Sequence, residues 1–138
     1  YEEELKKYTA EKNMNDTIIF TGFIKDVRRM LGVMDVQANA SYGTEATSLA
    51  LLEGMSLGIP AVVSNYGGNP GVITSGENGY IFKLKDSADM AKYLEKLYDD
   101  KDTYEYMKKR ALEIFGEKFT AQIYADNICS VYKSVMKG

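Results

Sequence analysis

An apolar stretch from Thr47 to Leu57 is stopped by Gly58 and Pro60 and followed at once by Ala61-Val62-Val63-Ser64. Glycine releases the backbone, and proline lacks the N–H that a helix ladder needs, so the stretch reads as a helix ended there. Ala61 to Ser64 is a short apolar run bounded by turn residues, the pattern of a buried strand. A weaker strand pattern, Asp35 to Ala40, precedes the helix. Strand, loop, helix and strand in this order imply a right-handed crossover between parallel neighbours. The rest of the chain has the same alternation. Residues 1 to 13 are expected to be helical. Thr17 to Thr21 is expected to be a short buried strand ending at Gly22. Asp26 to Leu31 should be a short helix with Asp26 as N-cap. Asn65 to Gly71 reads as a glycine-rich loop and Gly79 to Phe82 as a further strand. Three helices follow, Asp86 to Tyr98, Thr103 to Phe115 and Thr120 to Met136. Such alternation specifies an α/β fold, a Rossmann-like parallel sheet with helices on both faces. No repeat, low-complexity tract or linker interrupts it, so residues 1–138 are read as a single domain.

Composition removes several kinds of chemistry. The chain contains no histidine, which rules out Ser–His–Asp and Cys–His catalysis and the usual zinc sites. It has one cysteine, Cys129, lying between Ile128 and Val131 and read as a small buried apolar residue. Net charge is −3, and the cations Lys6, Lys7, Lys12, Lys108, Lys109 and Arg110 are mixed with acids on helices. They are expected to be solvated helix faces. Glu2 with Lys6 and Glu3 with Lys7 stand four residues apart, in the order that supports an exposed helix. No basic face suggests nucleic acid as a partner. No apolar run approaches the roughly 20 residues of a membrane-spanning helix. The sequence opens at Tyr1 without a leader pattern, and a sheet of three or four strands is narrow for this class. The expectation is a domain cut from a longer protein, with the missing part upstream.

In an open parallel sheet, ligands bind at the carboxyl ends of the strands. Two loops are expected at that edge. One runs Ser41-Tyr42-Gly43-Thr44-Glu45-Ala46-Thr47-Ser48 and opens into a helix, where the first-turn amides around Ser48 and Leu49 could receive an anion. The other contains Gly67-Gly68, which is either a tight turn or a place where a ligand approaches the backbone closely. Glu53 lies in a helix that is apolar on nearly every face, so it is expected to be buried. A buried carboxylate requires charged or hydroxyl partners, and these are either a structural cation or a ligand. Glu45 is either an exposed loop acid or the second acid facing the same cleft.

Glu45, seven residues, Glu53, then Gly-Met-Ser-Leu-Gly-Ile-Pro-Ala-Val-Val-Ser and Gly-Gly-Asn-Pro, form an ordered set. Phe20, Gly22, Asp26-Val27 and Asp35-Val36 extend it upstream, and Gly76 with Asn78-Gly79 extend it downstream. The set resembles the Glu-x7-Glu retaining glycosyltransferases, family 4, which have the GT-B fold. The resemblance covers nearly the whole chain from residue 16 onward. It implies the C-terminal, donor-binding domain of such an enzyme, with the N-terminal acceptor domain absent. It also implies sugar transfer from a nucleoside-diphosphate sugar to an acceptor hydroxyl with retention of anomeric configuration. Glu45 would contact the donor sugar as the catalytic-site acid. Glu53 would bind the ribose hydroxyls. Thr47, Ser48 and Leu49, with Gly67 and Gly68, would complete the donor nucleotide and sugar site. No metal or other cofactor is expected beyond the donor itself. The acceptor would be a carbohydrate or a lipid-linked sugar, in polysaccharide biosynthesis. The location would be cytoplasmic, with contact with the inner face of a membrane.

The chain departs from the family pattern in three respects. The arginine and lysine that grip the diphosphate lie upstream in the family, and Lys25, Arg28 and Arg29 do not occupy their motif. Gly71 stands where glutamate usually follows Gly-Gly-Asn-Pro. Ala46 stands where glycine is common. Without the upstream arginine and lysine and without the N-terminal acceptor domain, the chain alone is expected to lack transferase activity. A non-catalytic nucleotide-sugar-binding module of the same fold is the alternative. A phosphoacceptor receiver domain would need an acidic cluster at the end of its first strand, and none is present. A dinucleotide-binding oxidoreductase would need Gly-x-Gly-x-x-Gly, and Thr21-Gly22-Phe23-Ile24-Lys25-Asp26 lacks it.

Overall fold

A computed structural model describes residues 1–43 and 48–136. The chain divides into two compact units, Tyr1–Met30 and Leu31–Gly138. In the first, α1 (Glu2–Glu11) carries three glutamates in its first turn, where they oppose the positive end of the helix. Lys6 pairs with Glu2 at 2.9 Å, as the spacing predicts. The expected Glu3–Lys7 pair does not form. Glu3 meets Lys6 at 3.3 Å, one residue earlier, and Lys7 turns to Glu11. The helix closes at Asn13, which takes a positive φ of 54°.

Thr17–Thr21 is not a strand. The Thr17 and Ile18 amides turn back to the Met14 carbonyl at 3.0 and 2.9 Å, and Ile19 is 81% exposed. High β-propensity does not make a strand without a neighbour to complete its ladder, and no described strand pairs with this segment. Further on, α2 (Val27–Leu31) begins directly after Asp26.

The second unit is built on three parallel strands, β1 (Gln37–Asn39), β2 (Ala61–Ser64) and β3 (Gly79–Phe82), in that spatial order. Register pairs Gln37 with Ala61, and Ala61 with Gly79. Every residue of β2 is buried, because both faces of the sheet are covered. On one face Ala61 and Val63 pack with Leu51 and Met55 of α3 (Leu49–Met55) and with Ala111 and Ile114. On the other, Val62, Tyr80 and Phe82 pack with Leu97 and Met107. The period-2 alternation of strand side chains divides β2 between these two cores. Leu97 belongs to α5 (Ser87–Asp99), and Met107, Ala111 and Ile114 to α6 (Lys101–Lys118). One helix thus serves both cores from different faces. Here α4 is a single turn, Asn69–Val72, inside what reads from sequence as a continuous loop; Pro70 in its first turn has its φ already set for a helix.

Two further expectations change. The last helix, α7 (Ala121–Met136), buries no residue, and Cys129 within it is exposed. Its apolar residues do not meet a core among the described residues, so their pattern does not translate into burial. Arg110 is not a solvated cation. It is half-buried, bonded to Glu77 at 2.9 Å and to Glu113, and so ties α6 to the turn before β3. The arginine in turn holds the Glu113 carboxyl below its ordinary range.

Gly79 makes the closest approach in the sheet. A Cβ there would collide with the backbone of Ala61, including its carbonyl. Gly116, exposed within α6, has nothing within 4 Å of that position. Gly79→Ala should therefore lower unfolding free energy in urea by about 1–3 kcal/mol, whereas Gly116→Ala should raise it by roughly 0.5–1 kcal/mol by removing helix-interior glycine.

Both α5 and α6 begin at aspartate caps. Asp86 accepts from the Asp89 amide at 3.0 Å, and Asp100 from the Thr103 amide at 2.9 Å and hydroxyl at 2.6 Å. Those Thr103 bonds, the hydroxyl first, hold the Asp100 carboxyl below its usual 3.8. A group with a depressed folded-state value contributes stability above its unfolded value and loses it as pH falls through the folded one. Stability should therefore decline as pH drops from about 3.8. Asp100→Asn, which keeps a capping oxygen and cannot titrate, should flatten that part of the curve in acid-unfolding measurements.

Candidate functional site

Because all three strands are parallel, the segments leaving Asn39, Ser64 and Phe82 emerge at one edge. The α3 crossover is seated on β1 by Gln37, whose Nε2 donates to the Ala50 carbonyl at 2.6 Å. Gly54 allows this closeness, since a Cβ there would strike the Gln37 side chain. Ser48, the N-cap of α3, has an extended backbone (φ −81°, ψ 101°) and is 5% exposed. Its hydroxyl makes no capping bond. It accepts instead from Asn39 Nδ2 at 3.3 Å. The Leu49 and Ala50 amides, at the start of α3, have no partner in the helix ladder.

The loop ends are joined by side chains. The Ser41 amide donates to Asn39 Oδ1 at 2.9 Å. The Ser64 hydroxyl donates to the Ser41 carbonyl at 2.6 Å. Asn69 Nδ2 reaches the Ser64 carbonyl and hydroxyl, both at 3.2 Å. Ser64 and Asn69 are fully buried, and Asn69 Oδ1 has no partner among the described residues. Gly67 and Gly68 are the central residues of a turn closed by the Asn69 amide on the Tyr66 carbonyl at 3.2 Å, and only Gly67, with a positive φ of 56°, needs the freedom of glycine there, Gly68 lying at φ −80°. Gly68 is the residue before α4.

Glu53 departs from its sequence reading. It is exposed, because only the Leu51, Gly54 and Met55 side of α3 faces the core. The 3.6-residue period places Leu49, Glu53 and Ser56 on the outer side. There Glu53 lines an open pocket of about 250 Å³ with Leu49, Leu52, Ser56 and Phe115. A carboxylate so placed needs no structural cation and is open to a ligand. Glu45 and Thr47 lie outside the described residues. The structure thus brings Ser48 together with the loop network and places Glu53 apart from it, on the flank of the same helix.

Cations at this edge come from the third loop. Lys85 takes a positive φ of 62°, and its Nζ lies 5.2 Å from the centre of the Tyr42 ring, bridging the loops after β3 and β1. Sequence reasoning missed this pair, since nothing in the spacing of residues 42 and 85 signals it. The same is true of Asn39, Ser64 and Asn69, whose small polar side chains look like ordinary loop and strand residues. A larger cavity of about 500 Å³ lies away from this edge, lined by Asp35, Glu95, Lys101, Tyr98 and Tyr104 over Leu94 and Leu97. Burial pushes the Tyr104 hydroxyl above its ordinary value. Among the described residues no cluster of acids and cysteine is arranged to hold a metal ion, and no helix is long and apolar enough to cross a membrane.

The family model of the glycosyl transferases group 1 matches residues 1–114. The chain is a member of that family. This glycosyltransferase chain is 28% identical over 125 residues to the N-acetyl-alpha-D-glucosaminyl L-malate synthase of Bacillus anthracis, covering 91% of the chain and 32% of the relative. It is 33% identical over 119 residues to the putative glycosyltransferase EpsD of Bacillus subtilis (strain 168), covering 83% and 30%. It spans about a third of the length of the curated relatives it matches. Among solved structures, Anabaena HepE in complex with UDP superposes with a TM-score of 0.91 at 22% identity, over 97% of this chain and 37% of that one. The C-terminal domain of the group 1 protein LpcC from Francisella tularensis superposes at 0.79 with 25% identity, over 87% and 63%. The fold of this group 1 chain is that of the C-terminal half of a GT-B glycosyltransferase.

Proposed function

We propose that this chain supplies the donor-binding part of a retaining glycosyltransferase. That enzyme would move a sugar from a nucleoside diphosphate to a hydroxyl of a carbohydrate or lipid-linked acceptor. The observation that carries the reading is the convergence of the β1 and β2 loops at one carboxyl edge, with α3 starting there and Glu53 on its flank. The UDP and UDP-glucose complexes of HepE, a protein of the same fold, support a nucleotide-sugar donor.

In this reading each residue has a separate task. Glu53 accepts hydrogen bonds from the vicinal ribose hydroxyls, a pairing for which two carboxylate oxygens are suited. Glu45 contacts the donor sugar. The Ser48 and Leu49 backbone, with Thr47, faces the diphosphate, and Gly67 and Gly68 allow the ligand close to the main chain. During transfer the bond from the anomeric carbon to the diphosphate oxygen breaks, and a bond to the acceptor oxygen forms on the same face. Charge develops on the departing diphosphate, so amide donors and cations stabilise the transition state there. No step requires a metal or a further cofactor. The setting is the cytoplasmic side of a membrane on which polysaccharide is assembled.

NMR titration of the isotope-labelled chain with UDP, GDP and ADP tests this reading. One nucleotide should shift amides around residues 48–53 and 65–69, and the same titration of Glu53→Ala should require at least about tenfold more ligand, the loss expected for hydrogen bonds to a charged group. Equal shifts in Glu53→Ala would remove Glu53 from the site.

A further inference from the structure

Two separate loops must present their contacts to one donor molecule, and the structure contains a device that makes them a single object. Asn39 uses both ends of its amide: Oδ1 accepts from the Ser41 amide and Nδ2 donates to the Ser48 hydroxyl. Ser41 and Ser48 are the two ends of the loop that carries Glu45. One side chain at the end of β1 therefore ties Ser41 to Ser48.

Ser64 performs the second join. Its hydroxyl donates to the Ser41 carbonyl, 23 residues away in sequence, and accepts from Asn69 in the turn after Gly67-Gly68. The order is Ser48, Asn39, Ser41, Ser64, Asn69, running from the N-cap of α3 to the first residue of α4. Ser48, Ser64 and Asn69 are all at most 5% exposed, so water competes little for these bonds. Hydrogen bonds shielded from water in this way are electrostatically stronger than in solvent and restrain the groups they join.

We propose that Asn39 and Ser64 are positioning residues for the donor site: Asn39 ties Ser41 to Ser48, and Ser64 ties Ser41 to the turn after Gly67-Gly68 before any ligand arrives. The inference rests on the proposed donor-binding function and goes beyond it, because neither side chain needs to touch the nucleotide. Preorganisation of this type gains affinity by removing the cost of ordering loops on binding.

The test compares the full chain with Ser64→Ala, Ser64→Thr, Asn39→Ala and Val62→Ala, using the same three nucleotides. Val62 is fully buried in the core beneath α5 and α6, two residues before Ser64, and its side chain makes none of the relay's hydrogen bonds, so its truncation weakens the fold without cutting the relay. Ser64→Ala and Asn39→Ala should raise the nucleotide Kd by about tenfold, while Ser64→Thr, which keeps the hydroxyl, and Val62→Ala should stay within about twofold. Amide exchange at Ser41 should accelerate in Ser64→Ala more than in Val62→Ala. If Ser64→Ala and Asn39→Ala bind as Val62→Ala does, the positioning role is overturned and the donor site stands. If the unaltered chain binds none of the three nucleotides, the donor reading fails instead. Exchange at Ser41 then decides the relay by itself: equal rates in Ser64→Ala and Val62→Ala would end it. Should Ser64→Ala fail to fold, Asn39→Ala, altered at a partly exposed residue, carries the comparison.

Discussion

The burial of β2 on both faces is the constraint on which the second unit depends. Ala61 and Val63 face one core and Val62 the other, and neither can be exposed without emptying a helix contact. Fully burying one such side chain contributes roughly 1.5–3 kcal/mol. Neighbours on both sides then follow, since the backbone of a buried strand must be bonded along both edges, and both neighbours run parallel to it. Gly79 is the residue that lets β3 come close enough, and Gly54 does the same for α3 against β1. Parallel strands joined by helical crossovers necessarily gather their outgoing loops at one edge. The site is a consequence of that arrangement.

Ser64 joins this core to the site. It is the last residue of β2, fully buried, and its hydroxyl leaves the strand towards the loop after β1. A polar group buried there would be costly if unmatched, and it is matched from both sides, by Ser41 and by Asn69. The stability of the core and the geometry of the loops are thus linked through one serine. Glu53 illustrates the complementary case. Leu51, Gly54 and Met55 anchor its helix, and the same anchoring turns the carboxylate outward to where a ligand can reach it.

Elements with internal signals were legible from the sequence. Ala61–Ser64 and Gly79–Phe82 form strands where their apolar runs and flanking turns indicate, and the helix expected from Asp86 is α5, whereas α6 begins at Lys101, two residues before the expected Thr103. Thr17–Thr21 misled because propensity describes a residue's suitability for a ladder and says nothing about a partner. Glu53 misled because a leucine-rich helix was expected to be covered all round, although Leu49 is 70% exposed. Asn39, Ser64 and Asn69 were silent for a different reason. Their hydrogen bonds link residues that only folding makes adjacent.

The sequence by itself determined the family, the parallel α/β class and which loops gather at the carboxyl edge of the sheet. Each of these follows from local spacing: glycine and proline stops, strand-length apolar runs, and two glutamates eight residues apart. Only the tertiary structure decided which face of α3 is outward, that Arg110 is held by Glu77, that Lys85 lies over Tyr42, and that four polar side chains and the Ser41 backbone bind the two loops together. Those features depend on the register of β1, β2 and β3, which brings together residues far apart in the chain, and a linear pattern contains no record of that distance.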